Sequence, residues 1–127
     1  MANTFKVVTF AAEPASAGTA YKMYTVAGST TTVVLGLILT NIHSSAVTVE
    51  VELGSDTGSR GGANNVTNGT SFLVKDVTIP AGSSLELLSG GKVVMEATED
   101  IKIDCSVADK ISGTLSIMEI TSDGLYR

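Results

Sequence analysis

The sequence predicts an all-β protein, a single β-sandwich of eight or nine strands spanning residues 1–127, with jelly-roll or immunoglobulin-like connections. Three observations carry this. Short runs rich in Val, Ile, Thr and Leu recur roughly every 8 to 12 residues between Gly, Asp and Ser turns, the spacing of sandwich strands. Several runs alternate apolar and polar residues with period two, which puts one set of side chains on each face. No stretch repeats apolar residues at i, i+3, i+4 and i+7 over a useful length, so helix is limited to single turns.

The elements follow in order. Phe5 to Phe10 reads as a first strand with apolar groups on both sides: Phe5, Val7 and Thr9 on one, Lys6, Val8 and Phe10 on the other. Ala20 to Val26 is a second, and Ala27-Gly28-Ser29 turns into the long run Thr31 to Asn41. There Val33, Leu35, Leu37 and Leu39 are expected on one face and Val34 and Ile38 on the other, a strand buried on both sides. Val47, Val49, Val51 and Leu53 alternate with Thr48, Glu50 and Glu52, the clearest half-buried pattern in the chain. With the turn residues Asn41 to Ala46 between them, residues 31–53 read as a β-hairpin.

Residues 54–71 break the rhythm with five glycines and three asparagines in eighteen positions, and are expected to form an extended loop that orders against a neighbour. Strand character returns at Phe72 to Ile79, Leu85 to Leu88, Val93 to Ala97, Ile101 to Val107 and Ile111 to Ile120, before a polar tail at 121–127. Both sandwich connectivities suit this count, although zero Trp and a lone cysteine argue against a true immunoglobulin domain.

At 127 residues the chain suits one domain, long enough to bury about two-thirds of its unfolded surface without metal or disulfide. It is 43% hydrophobic and only 17% charged, against roughly 25% charged in globular domains, so part of its surface is expected to be covered by neighbours. Eight scattered basic residues and a net charge of −5 disfavour nucleic acid, which needs a concentrated basic face. The most apolar stretch, Val33 to Ile42, is far shorter than the roughly 20 residues of a membrane span, and the N-terminus lacks an apolar signal core, so synthesis and folding in a cytoplasm are expected.

Catalytic and metal-binding chemistry find little material. Cys105, in the alternating run Ile101, Ile103, Cys105 and Val107, reads as a small buried hydrophobe, and nothing in the spacing brings it to His43, the one histidine. His43 beside Ser44 and Ser45 lacks an acidic third partner and a Gly-x-Ser-x-Gly elbow. Glu50 and Glu52 share one strand face and point the same way, unlike paired glycosidase acids on opposing walls. Two acidic groups, Glu96 with Glu99, Asp100 and Asp104, and Asp56 with Asn64 and Asn65, are weak calcium candidates without EF-hand spacing. An enzyme is therefore not expected, nor a cofactor. A carbohydrate-binding module would need an aromatic platform, and Tyr21 and Tyr24, an odd number of residues apart, are expected on opposite sides of their strand.

The succession Tyr24-Thr-Val-Ala-Gly-Ser-Thr-Thr-Thr-Val-Val-Leu-Gly-Leu-Ile-Leu-Thr-Asn41, then Ser45 to Leu53, then Val77-Thr-Ile-Pro-Ala-Gly-Ser-Ser-Leu-Glu-Leu87 resembles the small β-sandwich virion structural proteins of tailed bacteriophages, over most of residues 19–120. Those proteins typically carry a proline before the first Ala-Gly, which is absent before Ala27, and residues 54–70 are long for the pattern. The resemblance implies a non-enzymatic virion component, foremost a capsid decoration or cement protein bound to the major capsid protein. A neck, tail or fibre-attachment protein is the alternative. Low charge and long apolar strands favour self-association into a homo-oligomer, such as a trimer, and a cement protein needs arms that drape over partners. Met1 to Thr4, residues 54–71 and residues 121–127 would be those arms, with Asn3, Thr4, Asp56, Arg60, Asn64, Asn65, Asn68, Tyr126 and Arg127 as contact residues.

Overall fold

A computed structural model describes residues 2–54, 70–88 and 90–121 of the chain. The strands are β1 (Ala2–Glu13), β2 (Tyr21–Thr25), β3 (Thr30–Asn41), β4 (Val47–Gly54), β5 (Thr70–Ile79), β6 (Ser84–Leu87), β7 (Val93–Met95), β8 (Asp100–Cys105) and β9 (Ile111–Thr121). They form two antiparallel sheets, one ordered β1-β9-β3-β6 with β7 also paired to β3, the other β2-β8-β4-β5. Successive strands mostly change sheet, which is jelly-roll connectivity and not that of an immunoglobulin domain, where neighbours such as F and G pair within one sheet.

The core lies between the sheets. Leu37, Leu39, Ile111, Leu115 and Ile117 from the first sheet meet Val49, Val51, Ile101, Ile103 and Cys105 from the second, and β4 and β8 keep the inward and outward alternation their sequences foretell. The lone thiol is buried, as expected.

Three expectations are corrected. Residues 31–53 are not a hairpin: β3 lies in one sheet and β4 in the other, and residues 42–46 arch between them. This arch runs beside the equivalent crossing from β8 to β9, with Ile42 N–H donating to the Lys110 carbonyl at 2.9 Å. Within β3, an irregularity between Val34 and Gly36 inserts Leu35 as an extra residue and reverses the phase. Thr32 and Val34 therefore point inward before it and Leu37 and Leu39 after it, while Val33 and Ile38 face outward, so one face is buried instead of two. Ala2 to Thr4 are not a free arm: they continue β1, paired with β9 as Ala2↔Thr121, Asn3↔Ile120 and Thr4↔Glu119.

Gly113 on β9 shows how closely the inner face is fitted. It pairs with Phe10 across the ladder, and the Phe10 ring lies over it and edge-on against Tyr21, with centroids 5.2 Å apart at 65°. A methyl group at Gly113 would overlap that ring. Gly113→Ala is expected to cost about 1–2 kcal/mol by forcing the ring aside, read as a lower midpoint in urea at unchanged slope.

Candidate interaction surfaces

The two outer faces of the sandwich differ in kind. On the four-stranded sheet, the outward positions of β4 and β8 are Thr48, Glu50, Glu52, Asp100, Lys102 and Asp104, and the register lines up Lys22, Lys102 and Glu52 across three strands. Lys22 pairs with Asp100 at 3.5 Å and Lys75 with Glu50 at 2.8 Å. The Lys75 ammonium also stands 4.6 Å over the half-exposed Phe72 ring, which holds it on the sheet. Lys75 draws the Glu50 carboxyl below its usual range, although such exposed pairs add little stability. This is an ordinary solvated surface.

On the five-stranded sheet, no outward position of β1 from Asn3 to Thr9, of β9 from Ser112 to Ile120, or of β3 from Thr31 to Thr40 is ionisable. The register assembles an apolar row across four strands: Phe5 opposite Met118, Met118 opposite Val33, Val33 opposite Val94. Phe5 is 72% exposed, Val7 60%, Val94 58% and Ile38 40%. The next row, Val7, Ser116 and Gly36, is small-sided at its far end. There a notch of about 300 Å³ opens between Leu35, Gly36, Ile38, Glu86, Thr114 and Ser116. Its origin is the edge of β3: β7 pairs with Thr32 to Val34 and β6 with Leu37 to Thr40, which leaves Leu35 and Gly36 without a ladder partner on that side.

A polar network closes one end of the sandwich. The Tyr24 hydroxyl on β2 donates to Glu119 Oε2 on β9 at 2.5 Å and shares a 2.7 Å hydrogen bond with Thr32 on β3, while Lys6 on β1 pairs with Glu119 Oε1 at 2.7 Å. Burial first, and the bond to Glu119 second, push the Tyr24 phenol up to about 12. Lys6 first, and Tyr24 second, hold the Glu119 carboxyl below its usual range.

The other groups singled out in the sequence are scattered. Among the contact residues expected on the arms, Asn3 and Thr4 are exposed on β1, whereas Asp56, Arg60, Asn64, Asn65, Asn68, Tyr126 and Arg127 lie outside the described residues. His43 sits in the 42–46 arch, its backbone N–H bonded to Asn41 Oδ1. The carboxylates of the 96–104 cluster serve separate local partners: Glu96 accepts from Thr31, Glu99 from the Glu96 N–H, and Asp104 from the N–H groups of Gly18 and Cys105. Among the described residues no three acidic, His or Cys side chains gather as a metal site would require. Tyr21 and Tyr24 do not face opposite ways: the irregularity between Lys22 and Tyr24 turns both against the core, so they form no sugar platform. Sequence reasoning missed Asn41, the Tyr24 network and the notch at Gly36. The apolar groups on both sides of β1, beside the low charge of the whole chain, are the available sign of a second face awaiting cover.

No protein-family profile matches the chain, and no curated protein sequence matches it. Among solved structures, a chain of infectious bursal disease virus, Gx strain, superposes with a TM-score of 0.51 at 13% identity, covering 98% of this chain and 33% of the viral one. This chain thus spans about a third of that protein, and the likeness is one of fold. A chain from the disulfide-linked pili of Bacillus endospore appendages gives a TM-score of 0.47 at 15% identity, covering 94% of this chain and 87% of that one.

Proposed function

We propose that this chain is a non-enzymatic structural protein of a tailed-phage particle, a capsid decoration or cement protein that binds the major capsid protein and stabilises the head. The observation that carries the reading is the division of its surface into a charged, solvated face and an opposite face on which β1, β9 and β3 present no ionisable side chain and Phe5, Val7 and Val94 stand exposed. A protein that works in free solution gains nothing from such a face, and one that works by being covered does. The jelly-roll scaffold and the phage-like turn sequences around Tyr24–Asn41 and Val77–Leu87 support the same reading. A cement protein needs a stiff body to carry load between subunits, and two sheets locked by one apolar core supply it.

The test is antibody labelling of particles from lysates of the parent virus, viewed by negative-stain microscopy. Even labelling of heads is the expected result. Label restricted to one vertex or the tail would move the chain to the neck or fibre apparatus, and unlabelled particles would sink the structural reading.

A further inference from the structure

We infer that the outer face of β1, β9 and β3 is the contact between two copies of this chain, packed face to face, with Phe5 of each copy seated in the notch at Gly36 of the other. The inference deepens the assembly reading and rests on it. Gly36 supplies the first argument. Its φ is not in the left-handed region, and a Cβ built on it meets nothing within 4 Å, so neither a positive φ nor packing inside the chain calls for glycine there. A side chain arriving from outside does, because any Cβ at 36 would begin to fill the notch.

The same face carries the side chain that fits. Among the described residues Phe5 is the most exposed of the large apolar ones, and it stands two strands and two residues from Gly36, roughly 12 Å away by sheet spacings. A two-fold axis lying in the interface and passing over β9 between Ser116 and Met118 exchanges the two positions. Each phenyl ring then meets the other copy's notch and the two Met118 side chains meet near the axis, an isologous contact that closes on itself.

Charge and area agree with a second copy as the occupant. Each chain carries a net charge of −5, and β1, β9 and β3 present no ionisable side chain on this face, so two such chains can meet across these strands with Glu86 left at the β6 rim of the notch. A strongly charged partner would instead give up hydration against a surface that offers it no counter-charge. Three strands about 4.8 Å apart and ten residues long at about 3.3 Å each project to roughly 500 Å², which pleating, side chains and the short β7 raise toward the roughly 800 Å² per partner of a stable interface.

The experiment is sedimentation velocity on the purified full chain at roughly 50 µM, where micromolar association is visible. The wild type is expected to be dimeric. Phe5→Gly and Gly36→Phe are each expected to weaken the dimer at least tenfold, the usual scale of losing an aromatic anchor, with circular dichroism and melting unchanged. The double variant F5G/G36F exchanges knob and hole between the two positions and is expected to recover the dimer, a result that misfolding could not produce. A monomeric wild type overturns the pairing, as does an oligomer indifferent to both single variants or a double variant no better than either. Particle labelling is independent: labelled heads with a monomeric chain overturn the pairing alone, and an F5-dependent dimer absent from particles overturns the virion reading alone.

Discussion

Asn41→Ala is expected to lower the stability of the domain by about 3–5 kcal/mol, because one buried side chain serves three backbone groups at once. Asn41 ends β3 with no accessible surface. Its Nδ2 donates at 2.9 Å both to the Ser45 carbonyl and to the Ile79 carbonyl, and its Oδ1 accepts the His43 N–H at 2.8 Å. Both amide hydrogens and the carbonyl oxygen are thereby used. Truncation strands the buried Ile79 carbonyl and deprives the part-buried Ser45 carbonyl and His43 N–H of their partner, each at about 1–3 kcal/mol before the arch relaxes and water reaches the outer two. Asn41→Asp should do nearly as much damage, since a carboxylate cannot donate to either carbonyl. Equilibrium urea denaturation gives the number. A loss under about 1 kcal/mol would mean that solvent reaches the arch and replaces these bonds.

The same residue marks the limit of what the sequence reveals. Asn41-Ile-His-Ser-Ser-Ala reads correctly as turn chemistry, but the direction of the turn depends on an acceptor at Ile79, 38 positions away. Nothing local distinguishes an arch between sheets from a hairpin within one. The alternation of Val47 to Leu53 was legible because β4 and β8 keep strict period two against one core. In β3 a single extra residue at Leu35 reverses the phase, and a bulge leaves no residue signature where Val, Leu and Gly all suit it. The N-terminal arm failed for a related reason. Ala2 to Thr4 look polar and dispensable until Ile120 and Glu119 are found opposite, at the far end of the chain. The outer apolar face was half legible: β1 announced two apolar sides, whereas the row from Phe5 through Met118 and Val33 to Val94 exists only once four distant segments are in register.

Tyr24→Phe is expected to cost about 2–3 kcal/mol at neutral pH and to change the shape of stability against pH at both ends. The hydroxyl joins β2 of one sheet to β3 and β9 of the other, so its loss removes two hydrogen bonds that tie the sheets together and leaves Thr32 and one Glu119 oxygen short of a partner. At the alkaline end the sign follows from a folded-state phenol near 12 against an ordinary value of 10.0. The unfolded chain releases its proton first, so the Tyr24 contribution is whole below pH 10 and is lost between pH 10 and pH 12. At the acid end the Glu119 carboxyl is held below its ordinary 4.5, so its contribution is whole above that value and falls away as pH drops through the folded-state value. Lys6 remains beside Glu119 in the variant, so the acid-side loss should shrink without vanishing, whereas the alkaline loss assigned to Tyr24 should disappear. Melting temperatures of both proteins across roughly pH 3 to 12 decide the matter, because lysine deprotonation above about pH 10 affects both curves and cancels in their difference. Parallel curves above about pH 10 would show that the phenol titrates as freely in the folded protein as in the unfolded chain, and that the two sheets are held at this end by packing alone.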